Sequence, residues 1–92
     1  MQRNIVVITY SMGMDCKQAS YIVKTAKRYQ SECTMIYHGK KGVMKSLLNL
    51  VSLLVPMGAE CEVLVEGPDE VVCMDNLLKT MKTNKLIKKD EL

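Results

Sequence analysis

The side chains best suited to chemistry fall in two short segments of the sequence. The first is Asp15-Cys16-Lys17, which puts a carboxylate, a thiol and an ammonium group in successive positions. The second is Ser46, a hydroxyl that follows Lys45. A carboxylate accepts hydrogen bonds, and a nearby cation favours the reactive thiolate of a cysteine. A serine hydroxyl likewise accepts hydrogen bonds from the first amides of a helix. These two segments are the candidate functional sites.

Both segments lie where a helix is predicted to begin. Asp15 is a good N-cap residue, and Gln18 three positions later completes a capping-box pattern. Apolar residues then repeat at helical spacing at Ala19, Ile22, Val23 and Ala26. Ser46 is a second N-cap, and it opens a short helix predicted over residues 47–55, before Pro56. A helix start offers unpaired amides and a positive dipole end, so both positions favour an anion.

Four strands and a third helix surround these positions. Residues 5–8 are a β-branched run typical of a buried strand, and residues 60–66 alternate between apolar and polar side chains. Residues 33–37 and 41–44 flank a turn and predict a hairpin. The last helix has an apolar stripe at Val71, Met74, Leu77, Leu78 and Met81.

Asp69 is placed to cap this last helix, and the chain from Asn84 onwards is predicted to fray. The order strand, helix, strand, strand, helix, strand, helix predicts an antiparallel sheet with helices on one face, which is an open-faced α/β sandwich.

The composition argues against metal and nucleic-acid sites. The 92 residues, 48% of them hydrophobic, are enough for one domain, and the net charge is only +3. The four cysteines form no C-x-x-C pair, and His38 is the one histidine, so a metal site is not expected. Lysines are concentrated at the end of the chain, but no aromatic or arginine residues accompany them to form a surface for nucleic-acid bases. They are interpreted as a solvated helix end that does not bind nucleic acid.

The hydropathy pattern favours a cytoplasmic protein without a membrane partner. The longest apolar stretch, residues 47–55, is interrupted by Asn49 and Ser52 and is too short to span a bilayer. The chain opens with no secretory signal. The final residues Lys89-Asp90-Glu91-Leu92 match an endoplasmic-reticulum retention tag. We interpret the match as a coincidence, because the retention receptor meets only chains that enter the secretory pathway.

Several segments resemble one family at matching spacing. The stretch Gly13-Met14-Asp15-Cys16-Lys17-Gln18-Ala19 resembles the active-site turn Gly-Leu-His-Ala-Arg-Pro-Ala of HPr, the histidine-containing phosphocarrier of the sugar phosphotransferase system. Lys45-Ser46-Leu47-Leu48 is similar to the family's regulatory Lys-Ser-Ile-Met. Gly58-Ala59-Glu60, Gly67 and Asp69-Glu70 match later landmarks.

The resemblance covers about residues 2–81. It implies an α+β fold with a four-stranded antiparallel sheet of order 1-4-2-3 covered by three helices. Residues 1–83 would form a single domain, and residues 84–92 a lysine-rich tail.

The sequence departs from the family pattern within the active-site turn. Asp15 replaces the phosphoryl-accepting histidine, Cys16 an alanine, Lys17 an arginine and Gln18 a proline. The resemblance therefore predicts that this chain is not a standard phosphohistidine carrier. Asp15 is open to three interpretations: a structural cap, a constant mimic of the charged phospho-form, or an acceptor that forms aspartyl phosphate. Cys16 is either a reactive thiol or an idle replacement.

The resemblance also implies regulation at Ser46, and the excess apolar residues of the second predicted helix indicate a docking surface. In Gram-positive members of the family a dedicated kinase phosphorylates this serine, and the product binds a catabolite control repressor. The expected partner surface comprises Asp15, Lys17, Leu47, Leu48 and Val51. We therefore expect a non-enzymatic regulatory or adaptor protein that needs no cofactor, with Enzyme I-like proteins, a serine kinase and a repressor as partners. The alternatives are an atypical phosphoryl carrier that uses Asp15 or Cys16, and a divergent domain that keeps only the fold.

Overall fold

The computed structural model describes residues 1–88 and has the predicted order of elements. The strands are β1 (Gln2–Val7), β2 (Glu32–Tyr37), β3 (Lys40–Val43) and β4 (Glu60–Glu66), and the helices are α1 (Cys16–Ala26), α2 (Leu47–Ser52) and α3 (Glu70–Thr83). The sheet is antiparallel in the order β1-β4-β2-β3. The predicted fold class and strand order are confirmed. None of the helices within residues 1–88 has the length and apolar character needed to cross a bilayer.

The core lies between one face of the sheet and the helices. In β2 and β4 the alternation holds as predicted, with Cys33, Met35, Val63 and Val65 buried. The expectation of a fully buried first strand is wrong. Val6 is buried, but Ile5 and Val7 are 58% and 47% exposed. Their side chains alternate onto the face of the sheet that no helix covers.

The buried stripe matches the sequence prediction in α1 and differs from it in α2 and α3. Residues 19, 22, 23 and 26 of α1 are buried as expected. In α3 the buried set is Cys73, Met74, Leu77 and Met81, whereas Val71 is 58% exposed and Leu78 only partly buried. The predicted α2 is too long, because it ends at Ser52 and Leu54 adopts a left-handed φ of 55°. This conformation turns the Leu54 side chain away from the core, so the residue is 76% exposed.

The chain beyond α3 packs onto the domain as far as it is described. Leu86 is fully buried and Ile87 nearly so, and Ile87 forms an isolated antiparallel bridge with Ile8. The carbonyl of Leu86 accepts the amide of Thr9 at 2.8 Å. The prediction of a frayed tail is therefore wrong for residues 84–88, because this segment covers the end of β1. Residues 89–92, which carry the retention-tag motif, lie outside the described residues.

Candidate functional site

Asp15 caps α1. Its backbone is extended (φ −76°, ψ −178°), and its Oδ1 accepts the amide of Gln18 at 2.9 Å. Its own carbonyl accepts the amide of Ala19 at 2.9 Å. The N-cap prediction is confirmed, but the reciprocal half of the capping box is wrong. The Gln18 side chain donates from Nε2 to the carbonyl of Asn84 at 2.9 Å instead.

The loop before Asp15 is fixed by a tight turn against the end of the α2 segment. Gly13 has a φ of +68°, and a Cβ on it would lie 2.3 Å from the carbonyl oxygen of Val55. The next amide, of Met14, donates to that same carbonyl at 2.9 Å. A glycine is required here by both its conformation and the close backbone approach. This turn holds the Asp15 carboxylate beside α2.

The two residues that follow Asp15 are exposed at the start of α1. Cys16 is a free thiol at the first helical position. The carbonyl of Lys17 accepts the hydroxyl of Ser20 at 2.6 Å. The single histidine, His38, lies in the turn between β2 and β3, where its ring stacks on Tyr37 with centroids 4.1 Å apart. Among residues 1–88, no group of three or more His, Cys, Asp or Glu side chains is arranged to hold a metal ion.

Ser46 caps α2, as predicted. Its Oγ accepts both the backbone amide of Asn49 at 3.3 Å and the side-chain Nδ2 of Asn49 at 3.1 Å. Asn49 also accepts the amide of Val43 at 3.4 Å, which ties the helix start to β3. Lys45 does not lie against Ser46, because its Nζ donates to the carbonyl of Tyr29 at 2.7 Å. The sequence pattern did not identify Asn49 as the partner of Ser46.

Exposed apolar side chains surround the two caps. We call the following set the apolar patch: Met12, Leu47, Leu48, Val51, Leu54 and Met57. Leu48 and Leu54 are 77% and 76% exposed, whereas Val51 is partly buried. A shallow depression of about 300 Å³ lies within the patch, with Asp15, Val51 and Leu54 in its walls. Met12 and Met57 were missed in the sequence because large apolar residues in loops show no periodicity.

The structure therefore brings Asp15 and Val51 together and places Ser46 at the other end of α2. A rise of 1.5 Å per residue over this short helix separates its two ends by about 10 Å. Leu47 and Leu48 lie next to Ser46 and point outwards. A partner that covers the patch would contact both caps.

Comparison with known proteins gives one family. Residues 2–83 match the family model described as the PTS HPr component phosphorylation site. The phosphocarrier protein HPr of Mycoplasma capricolum is 28% identical over 87 residues, which cover 95% of this chain and 98% of that protein.

Solved structures agree with this match. A mycoplasma histidine-containing phosphocarrier protein superposes with a TM-score of 0.94 at 26% identity, over 96% of this chain and all of that one. The catabolite repression protein Crh of Bacillus subtilis, solved as an intertwined dimer, superposes with a TM-score of 0.71 at 28% identity, over 94% of this chain and 99% of that one. The family model, the relatives and the sheet order lead to the same conclusion. The chain belongs to the HPr family of the sugar phosphotransferase system.

Proposed function

We propose that this HPr-family chain is a regulatory or adaptor protein that docks on partner proteins through Asp15, Ser46 and the apolar patch. The observation that carries the proposal is the state of residue 15. A carboxylate stands where the family has its phosphoryl-accepting imidazole, and this carboxylate already accepts the amide of Gln18 at 2.9 Å. Without a ring nitrogen at this position, phosphohistidine transfer has no acceptor. The fold and the docking surface are kept while that chemistry is lost.

Asp15 supplies a constant negative charge at the start of α1. The helix dipole and the first-turn amides stabilise such a charge. A phosphohistidine would place its negative charge in the same neighbourhood. Partners that recognise the phosphorylated form would therefore find a similar electrostatic potential on this protein without any phosphorylation. The mimicry is partial, because a phosphate has more charge and more acceptor oxygens than a carboxylate.

Ser46 is the proposed switch. Its Oγ is only partly buried at the N-cap, and the Nδ2 of Asn49 lies 3.1 Å away as a donor. Phosphorylation would add close to two negative charges at a helix start, where the helix dipole favours them. By family resemblance, a serine kinase would phosphorylate Ser46 and a catabolite control repressor would bind the phosphorylated protein. The Crh relative is itself described as a catabolite repression protein.

The apolar patch is the proposed contact surface for these partners. Leu47 and Leu48 expose apolar area on a helix only six residues long, and Leu54 exposes more just beyond its end. Contiguous exposed apolar area of this kind is typical of protein interaction sites. Lys17, exposed next to Asp15, supplies a cation at the edge of the surface. The proposal involves cytoplasmic protein partners, an Enzyme I-like protein among them, and no cofactor, nucleic acid or membrane.

A second candidate function is an atypical phosphoryl carrier that uses Asp15 or Cys16. The observation that favours it is the exposed thiol of Cys16 at the first position of α1. A helix N-terminus stabilises a thiolate and would also stabilise a phosphate attached to it. Transfer through Asp15 would require the carboxylate to give up its cap. A chain that keeps only the family fold would show neither activity.

One labelling experiment separates these functions. The protein is incubated with Enzyme I and labelled phosphoenolpyruvate, and separately with an HPr serine kinase and labelled ATP, and the labelled residue is mapped. Label at Ser46 alone supports regulation, whereas label at residue 15 or 16 supports transfer. The Ser46→Ala variant is the control for the kinase.

A variant that restores the family motif is the control for Enzyme I. It carries Asp15→His, Cys16→Ala, Lys17→Arg and Gln18→Pro together, and it should accept label from phosphoenolpyruvate. If the restored variant is labelled and the natural chain is not, the loss of transfer is assigned to the turn itself. An absence of label at Ser46 under kinase would overturn the regulatory proposal.

A further inference from the structure

We propose that Cys33 and Cys73 form a redox pair whose disulfide joins β2 to the first turns of α3. The Sγ atoms of the two free thiols lie 3.5 Å apart, although the residues are 40 positions apart in the sequence. Neither belongs to a C-x-x-C motif, so only the fold brings them together. They lie near the end of the sheet opposite the Asp15 loop, since Cys33 pairs with Val65 and β1 leads into that loop from its other end.

The pair lies in the core, and hydrogen bonds hold the backbone beside it. The Sγ of Cys33 also lies 3.5 Å from the carbonyl of Ser31. Asp69, just before α3, accepts the amides of Gln30 and Ser31 at 2.9 and 3.0 Å. These bonds hold the start of α3 against the start of β2, so the two sulfur atoms are kept in register. Formation of the disulfide requires the sulfur atoms to approach from 3.5 Å to about 2.05 Å.

The buried environment acts on both thiols. Burial raises the pKa of Cys33 and Cys73, and that of Cys73 rises to about 12. The Asp69 carboxylate raises the pKa of both thiols further, whereas Lys45 lies close enough to lower it. Either sulfur can donate the hydrogen bond that joins the pair.

The oxidant is a low-molecular-weight disulfide such as oxidised glutathione. One of the two cysteines loses its proton and attacks one glutathione sulfur, and the other half leaves as a thiolate that takes up a proton. The second cysteine sulfur then attacks the first and loses its own proton, while the second glutathione leaves as a thiol. The protein gives up two electrons and two hydrogens, and one oxidised glutathione becomes two reduced molecules. Both thiols are buried, so the exchange proceeds through transient opening at the start of α3.

The test uses the full chain with Cys16→Ser, which removes the exposed thiol. The protein is equilibrated in glutathione buffers of increasing oxidised fraction and quenched with acid. It is then alkylated in denaturant at neutral pH and analysed by intact mass and peptide mapping. The expected product has lost the mass of two hydrogens and contains one peptide pair linking residues 33 and 73. Its unfolding midpoint should rise by at least about 5 °C over the reduced form, because the bond closes a long loop.

Two matched variants complete the design. Cys16→Ser/Cys61→Ser lacks a buried thiol outside the pair and should form the same link, whereas Cys16→Ser/Cys73→Ser should form none. If the parent variant gains only glutathione adducts, or links Cys61, the proposal is overturned. Mapping the parent variant decides the question even if a double variant fails to fold.

Discussion

The backbone amide of Gln18 donates to Oδ1 of Asp15 at 2.9 Å, and this single bond joins two residues at which the sequence departs from the motif it resembles. That motif has proline at the position of Gln18, and proline has no amide hydrogen to donate. An aspartate cap at position 15 gains this bond only when residue 18 is not proline. By the resemblance, an aspartate in place of the histidine and a glutamine in place of the proline would therefore act together.

The first prediction is a non-additive double-mutant cycle at these two positions. Asp15→Ala and Gln18→Pro should each lower the free energy of unfolding by about 1 kcal/mol, since each removes the cap. The double variant should lose about as much as one of them, apart from the separate loss of the Gln18 contact with Asn84. Urea denaturation measures all four proteins.

Gln18→Ala is the matched control for the cycle. It keeps the amide and the cap while it removes the side-chain bond to the Asn84 carbonyl. It should be more stable than Gln18→Pro and should still show the full effect of Asp15→Ala. Additive losses for Asp15→Ala and Gln18→Pro would contradict the coupling.

The turn at Gly13 gives a second prediction. Gly13→Ala should destabilise the protein by more than about 2 kcal/mol, because the φ is positive and the new Cβ would meet the Val55 carbonyl at 2.3 Å. Gly39→Ala is the control, since Gly39 has a φ of +76° but no atom within 4 Å of the added carbon. It should lose only about 1 kcal/mol from backbone strain. Equal losses in thermal or urea unfolding would show that the close approach has no effect.

The Ser46 cap gives a third prediction. Ser46→Ala should lower the free energy of unfolding by about 1 kcal/mol, because the Asn49 amide loses its acceptor. Ser46→Asp should be close to neutral, since aspartate is an equally good cap and its charge suits the helix start. Urea midpoints of the two variants against the natural chain give the measurement. A Ser46→Asp protein as unstable as Ser46→Ala would contradict the prediction.

Asp69 gives a fourth prediction, which concerns pH. The hydroxyl of Ser31 and the amide of Gln30 lower the pKa of the Asp69 carboxyl in the folded state. A lowered folded pKa means that the stabilisation is fully present above the unfolded value and is lost as the pH falls through the folded value. The unfolding midpoint should therefore fall on acidification below about pH 4.

Asp69→Asn should show a shallower acid dependence than the natural chain. Asp75→Asn, which changes an exposed carboxyl on the same helix, is the control and should keep the natural slope. Thermal unfolding between neutral pH and about pH 3 measures the three proteins. An unchanged slope for Asp69→Asn would reject Asp69 as a source of the acid sensitivity.

The Asp69 contacts also show where the sequence was sufficient and where it was not. The pattern correctly placed Asp69 directly before α3, but the predicted side-chain cap is wrong. Its carboxylate turns to Gln30 and Ser31 and makes no cap hydrogen bond to the first turn of α3. Local spacing specifies that a polar side chain stands at a helix start. Which amides the carboxylate binds depends on the tertiary fold, since Ser31, just before β2, is 38 positions away in the sequence.

The same distinction separates the other outcomes. Alternation alone predicted β2 and β4, because this signal repeats over many residues. The sheet order followed from the family resemblance. The exposure of Ile5 and Val7 was not predictable, since β-branched residues indicate a strand without telling which of its faces is covered. The burial of Leu86 and Ile87 was missed because it depends on the edge of β1 rather than on helical periodicity. At the site, Asp15 and Ser46 were found from capping rules, whereas Asn49 and the exposed loop methionines needed the fold.

The contacts of residues 84–88 have a kinetic consequence. Thr9 meets the Leu86 carbonyl across 77 positions of sequence, and Gln18 meets the Asn84 carbonyl across 66. Contacts between residues so far apart in the sequence form slowly, because the conformational entropy of a long loop must be lost before they form. Both ends of the Asp15 loop depend on them. The proposed docking surface is therefore expected to become ordered together with the β1–β4 pairing, which joins residues similarly far apart in the sequence, such as Gln2 and Val65.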